Sequence, residues 1–233
     1  MPICCVDAGH NSNSVDSGAQ GNGLFEQDIT LDIALRLKPL LEENGIQVVM
    51  TRTSGRVQGG YTTVNGSLQT RCDISDSAKA DLFVSIHCNA GRGTGSEVWV
   101  VSVGGRAEKA AKAVLVRLIE SCGWANRGVK TANDYVLVNT DAPAILTENG
   151  FIDTIEDAVK LSSPSFRQEI AAAHAKGICD YFGIRYKGGV SKVAEVKSDK
   201  DGYLLVRVLD SKSSEVQAQI IKMGYACKPM ILP

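Results

Sequence analysis

Short apolar runs alternate along this chain with longer stretches in which apolar residues return every three or four positions. The first run, Ile3-Cys4-Cys5-Val6, is long enough for a buried strand and too short for a helix. A polar loop rich in Gly, Asn and Ser follows, to Phe25. From Glu26 the spacing of Ile29, Ile33, Leu37 and Leu40 predicts a helix to Asn44, stopped by Gly45 and bent at Pro39. The next β-branched run, 46–50, reads as a buried strand, 53–66 as loop and 68–79 as a weaker helix. Further strands are expected at 81–87, 97–103, 135–138 and 144–148, with a helix at 106–121. Ser163-Pro164 opens the last long helix, whose inner face carries Phe166, Ile170, Ile178 and Phe182 before Gly183 ends it. Strands alternating with helices in this way predict an α/β fold, a mostly parallel sheet sandwiched by helices.

The pattern changes at Lys187-Gly188-Gly189. We divide the chain into a main domain at 1–185, a linker at 186–190 and a small module at 191–233. The module reads as ββαβ: strands at 193–197 and 203–209 around the hairpin signal Asp201-Gly202, a helix at 213–223 and an extended run at 226–232.

Composition narrows the function classes. The 233 residues are 44% hydrophobic and 22% charged, as in an ordinary globular protein, and can bury a full core. A formal net charge of −1 implies no general affinity for nucleic acid or anionic membrane. No apolar run is long enough for a membrane span. After Met1 and Pro2 the chain enters its first strand, so no signal peptide is expected. Seven scattered cysteines without a C-x-x-C pair argue for free thiols and synthesis in a reducing compartment.

Candidate chemistry gathers at strand ends. His10, His87 and Glu148 each close a predicted strand, and Glu26 opens the helix after the first. Parallel strands of α/β sheets put their C-terminal ends on one edge, where ligands bind. Two histidines and a glutamate form a known catalytic zinc set, and a further glutamate can serve as general base. The plainer reading of each, taken singly, is a surface histidine or an acidic residue favoured at a helix start. His174, on the last helix beside Ile170 and Ile178, reads as a packed helix histidine. Cys88 follows His87 and points to the opposite face, so it reads as a core thiol and not a nucleophile.

The chain resembles the zinc-dependent N-acetylmuramoyl-L-alanine amidases of the Amidase_3 type, found in autolysins and phage endolysins. The resemblance rests on Val6-Asp7-Ala8-Gly9-His10, Gly23-Leu24-Phe25-Glu26-Gln27-Asp28 and Thr51-Arg52-Thr53. It continues in the stretch from Ala80 through His87-Cys88-Asn89, in Arg127-Gly128-Val129-Lys130 and in the stretch from Pro143 through Glu148 to Ile152. Ala8 and Asn149 depart from the family's usual proline and threonine. The resemblance implies that His10, Glu26 and His87 hold Zn2+ and that Glu148 is the catalytic carboxylate. It implies hydrolysis of the amide between the lactyl group of muramic acid and L-alanine in bacterial peptidoglycan. Asn89 and Arg127 are candidate substrate contacts, their plainer readings being a loop cap and a surface charge. Two rivals remain: a zinc peptidase cutting within the stem peptide, and a non-catalytic wall-binding module. Without an export signal, the enzyme is expected to be made in the cytoplasm and to reach the wall on release, as an endolysin does. The strongly apolar strands of 191–233 lead us to expect a wall-binding or self-associating module, forming a homodimer, against the plainer reading of a docked extension.

Overall fold

The computed structural model describes residues 1–12, 15–188, 193–198 and 204–208. Strand β1 (Ile3–Ala8) leads through the two-residue strands β2 (Gln20–Gly21) and β3 (Leu24–Phe25) to helix α1 (Glu26–Glu43) and strand β4 (Gln47–Met50). Helix α2 (Val64–Ser77), strands β5 (Leu82–Asn89) and β6 (Ser96–Val100), and helix α3 (Arg106–Cys122) follow. Then come β7 (Asn126–Thr131), α4 (Tyr135–Val138), β8 (Ala144–Phe151), α5 (Ile155–Ser162) and α6 (Pro164–Phe182). Six strands form one sheet in the order β4-β1-β5-β8-β6-β7. All neighbours are parallel except β6 and β8.

The strand alternation divides the core. Cys4, Val6, Leu82, Val84, Ile86 and Ile145 face α1, α3 and α6 in one cluster, while Cys5, Phe83, Ala144 and Leu146 face α2 and α4 in another. His87 and Glu148 share the parity of the second set, so they stand on the α2/α4 face where the strands end.

Several expectations need correction. Residues 135–138 are a helical turn, with the Leu137 and Val138 N–H groups donating to the Asp134 carbonyl. Tyr-Val-Leu-Val has strand-like residues, but Val136 and Leu137 reach the second core only from a turn. Helix α1 runs through Pro39 as expected; Pro39 is exposed like Leu35, the residue whose carbonyl loses its donor, and water can satisfy that carbonyl. β8 does not end on Glu148 but continues to Phe151, and β5 continues past His87 to Asn89. α5, β7 and the β2–β3 hairpin had no clear periodic signal. Helix α2 read as weak because its inner face is polar: Ser67, Arg71 and Ser75 are all buried.

The chain divides into two compact units, Met1–Gly188 and Gly189–Pro233. In the second, β9 (Val193–Ser198) and β10 (Leu204–Val208) pair antiparallel. The helix expected at 213–223, the run at 226–232 and Cys227 lie outside the described residues. No helix among the described residues is long and apolar enough to cross a membrane.

Candidate metal centre

The site begins with a turn that the backbone would not adopt unaided. His10 follows β1 with φ 64°, and Asp16 has φ 68°, both in the left-handed region that side chains disfavour. Two buried arginines hold this turn. Arg52 donates to the carbonyls of Ala8, Gly9 and Gln27; Arg71 donates to those of Ala8 and His10 and, through Nη1, to Asp7 Oδ1 at 2.6 Å. Asp7 also accepts from Thr51 and Ser85. Burial alone would raise the Asp7 carboxyl, but Arg71 and these hydroxyls outweigh it and hold the carboxyl below its usual range. The strain at His10 persists because its surroundings over-determine it.

This turn faces the start of α1 and the end of β5. Glu26 is 3% exposed and lies between the two imidazoles. Its Oε2 is 3.2 Å from His10 Nε2, and its Oε1 is 3.0 Å from His87 Nδ1. The backbone N–H groups of Ala19 and Cys88 donate one to each oxygen. The ligand atoms of His10, Glu26 and His87 all lie within 4.8 Å of one another. Burial pushes His10 down, but the hydrogen bonds it donates to the Asp16 and Glu26 carboxylates win and raise it to about 10. Burial likewise opposes ionisation of Glu26, and the two histidines overcome it and lower its pKa.

These residues fit a metal ion on three observations. Their donors, two imidazole nitrogens and a carboxylate oxygen, are a borderline-soft set of the kind that suits zinc. The backbone packs so closely against them that a Cβ at Gly9 would lie 2.4 Å from His87 Cε1, and one at Gly18 would lie 2.8 Å from Glu26 Oε2. Asp16 Oδ1 lies 3.2 Å from His10 Nδ1, the carboxylate–histidine arrangement that fixes a ligand's tautomer and leaves Nε2 free to coordinate. Asp16 is in turn held by Ser67, Asn11 and Arg71. Neither Asp16 nor Arg71 stood out in the sequence.

Glu148 is the neighbour of this centre. It pairs with His87 across β5 and β8, so the two side chains stand on one face. Its Oε2 is buried and has no hydrogen-bond partner among the described residues. Burial, then the nearby Glu26 and Glu97, push the Glu148 carboxyl well above its ordinary range. On the other side Glu148 pairs with Glu97 of β6, which is 2% exposed. Asn89 donates from Nδ2 to Glu97 Oε1 at 2.9 Å, and its Oδ1 accepts from the backbone of Ala90. Arg127 donates from Nε to Glu97 Oε2 at 2.7 Å, and Lys130 reaches the same oxygen. Asn89 and Arg127 therefore meet on Glu97 and not on the three-residue centre. His174 and Cys88 lie on the opposite face, both buried. Burial lowers His174 to about 4 against the opposing hydrogen bond to the Ile170 carbonyl, and burial keeps the Cys88 thiol protonated.

The family profile described as N-acetylmuramoyl-L-alanine amidase, Amidase_3, matches residues 4–180. The chain belongs to this family. A sporulation-specific N-acetylmuramoyl-L-alanine amidase of Bacillus subtilis (strain 168) is 40% identical over 183 residues, covering 77% of this chain and 68% of that protein. An endolysin of Bacillus phage SPP1 is 36% identical over 222 residues, covering 86% of this chain and 78% of the endolysin. Among solved structures, the amidase AmiC2 of Nostoc punctiforme superimposes with a TM-score of 0.70 at 31% identity, over 78% of this chain and 97% of that one. Amidase_3 proteins are hydrolases of peptidoglycan, and the mostly parallel sheet flanked by helices is their fold.

Proposed function

We propose that this chain is a zinc-dependent N-acetylmuramoyl-L-alanine amidase in which His10, Glu26 and His87 hold the metal and Glu148 moves the proton. One observation carries the reading: three ligand atoms within 4.8 Å of one another, beside a carboxylate paired to His87 whose Oε2 has no hydrogen-bond partner among the described residues. Zinc, when bound, would polarise the amide carbonyl and lower the pKa of its water toward ~7. Glu148 accepts a proton from the attacking water as its oxygen bonds to the lactyl carbonyl carbon. It then gives that proton to the alanine nitrogen as the C–N bond breaks, leaving a free amine and a lactyl carboxyl that keeps the water's other proton until it ionises. Burial and the neighbouring carboxylates raise the Glu148 carboxyl, which strengthens it as a base toward the water proton.

Purified cell wall, digested with and without chelator, tests the reading. Newly exposed amino-terminal alanine, abolished by chelator and restored by zinc, is the expected product. A different new amine would mark a peptidase cutting within the stem, and no product at all would mark a wall-binding module.

A role as a phage or host lysis enzyme is favoured by the SPP1 endolysin. Its match takes in 86% of the chain, about 200 of 233 residues and more than Met1–Gly188 can supply. In this reading residues 191–233 bind the wall or a second copy of themselves. Cutting the chain after Tyr186 should make the protein monomeric by light scattering and reduce its pelleting with walls; a monomeric full-length protein would end the pairing idea.

A further inference from the structure

The face that carries Glu148 has a second charged group, built by an irregularity in the sheet. Arg127 and Lys130 are three apart, and in a regular strand they would point to opposite faces. Here both reach Glu97 Oε2. Between them Gly128 has φ 86°, in the left-handed region, and the β6–β7 register shifts between Ser96 and Val98. This bulge turns both cations onto the face that carries Glu97 and Glu148.

The cluster holds more positive charge than Glu97 needs. One buried carboxylate is met by Arg127 and Lys130, each about one third exposed, leaving one net positive charge. The Arg127 guanidinium lies 4.8 Å from the centroid of the Phe151 ring, so its plane is held. Only its Nε is spent on Glu97; neither Nη has a hydrogen-bond partner among the described residues. Lys130 lies 5.1 Å from the centre of the Trp99 ring. Asn89 holds the other oxygen of Glu97, so the carboxylate cannot swing to neutralise an arriving anion's place. A fork of free guanidinium donors in a fixed plane matches a carboxylate.

We propose that Arg127 and Lys130, fixed by Glu97, form a subsite for a free carboxylate on the peptide side of the amide that is cut. The proposal rests on the amidase reading above. In uncut peptidoglycan the lactyl carboxyl is consumed in the scissile amide and the N-acetylated sugars carry no other. The free carboxylates near the cut therefore belong to the peptide, and the nearest is that of the residue after alanine.

Two synthetic muramoyl peptides test this, identical except that the residue after alanine bears a free carboxylate in one and a carboxamide in the other. Both lack the anionic polymers of whole wall, so phosphate cannot be the anion read. The wild type should cut the carboxylate substrate with at least about tenfold higher kcat/KM. Arg127→Gln should raise KM for that substrate roughly tenfold to hundredfold and lose far less on the carboxamide, so the preference disappears. Lys130→Gln should shift the same way to a smaller degree, and Arg127→Lys should recover part of the preference. Zinc content and thermal melting on each sample separate this from misfolding. Equal cutting of both substrates by the wild type, or equal losses on both in Arg127→Gln, would overturn the subsite. A wild type that cuts neither would overturn the amidase reading instead. Calorimetric binding of the two peptides to Glu148→Gln would then still decide the subsite, a preference for the carboxylate supporting it and equal binding ending it.

Discussion

Glu148 stands between two carboxylates that are held in similar ways and suited to opposite tasks. On one side Glu26 lies between His10 and His87; on the other Glu97 lies between Arg127 and Lys130. Both glutamates are nearly inaccessible, and both have pKa values that burial raises and their basic partners lower. The difference lies in the nitrogens. An imidazole can give up its proton and offer a lone pair, so the Glu26 group can close on a cation. A guanidinium and an ammonium have no lone pair to offer, so the Glu97 group can only receive an anion. Local geometry is alike on the two flanks, and the chemistry of the donor decides what each can hold.

The largest expected effects fall on the histidine flank. His10→Ala, Glu26→Ala or His87→Ala should each abolish both bound zinc and wall lysis, because two remaining protein ligands are too few for a catalytic site. Full activity with one zinc per chain in any of the three would remove that residue from the ligand set. Between the flanks, Glu148→Gln should keep its zinc and lose ~10²–10⁴-fold in turnover, the usual contribution of a general base. Loss of the metal in that variant would make Glu148 a ligand.

The third histidine sharpens the comparison through pH. His174 is fully buried with no carboxylate bonded to it among the described residues; its Nδ1 donates to the Ile170 carbonyl at 2.8 Å and its Nε2 accepts from Thr147. Its pKa falls from 6.5 to about 4, the reverse of His10. Below pH 6.5 the unfolded chain takes up a proton here that the folded chain refuses until about pH 4. Stability is therefore lost as pH falls through that window, by about 3 kcal/mol at most. Glu148, whose carboxyl is raised in the folded chain, gains stability over the same fall in pH, so the loss is read by difference: between pH 7 and pH 4.5 the wild type should lose more stability to urea, or gain less, than His174→Gln does. Asp7 adds a loss of the same sign only lower, once the unfolded carboxyl begins to protonate near pH ~4.

The smallest effect expected is on metal affinity. Asp16→Asn leaves all three ligands in place but weakens the hold on His10 Nδ1, and zinc affinity measured by competition should fall ~10–100-fold. An unchanged dissociation constant would mean that Arg52 and Arg71 orient the turn without help from Asp16.

By itself the sequence determined the alternation of strands and helices and the set His10, Glu26, His87 and Glu148. Buried strands and amphipathic helices write their periods into neighbouring residues, which puts a histidine or glutamate beside such a run near its end, although β5 runs on past His87 and β8 past Glu148. The same local logic failed where packing overrode it, as at residues 135–138, where a strand-like tetrapeptide folds as a turn to reach the core. Only the tertiary structure decided which charged groups meet. Asp7 and Arg71 are 64 positions apart, Asp16 and Ser67 are 51 apart, and nothing local to any of them announces the contact. Arg127 and Lys130 were legible as residues but not as a pair. Their common side depends on the left-handed Gly128 and on the register shift between β6 and β7, which exists only once the two strands are laid together.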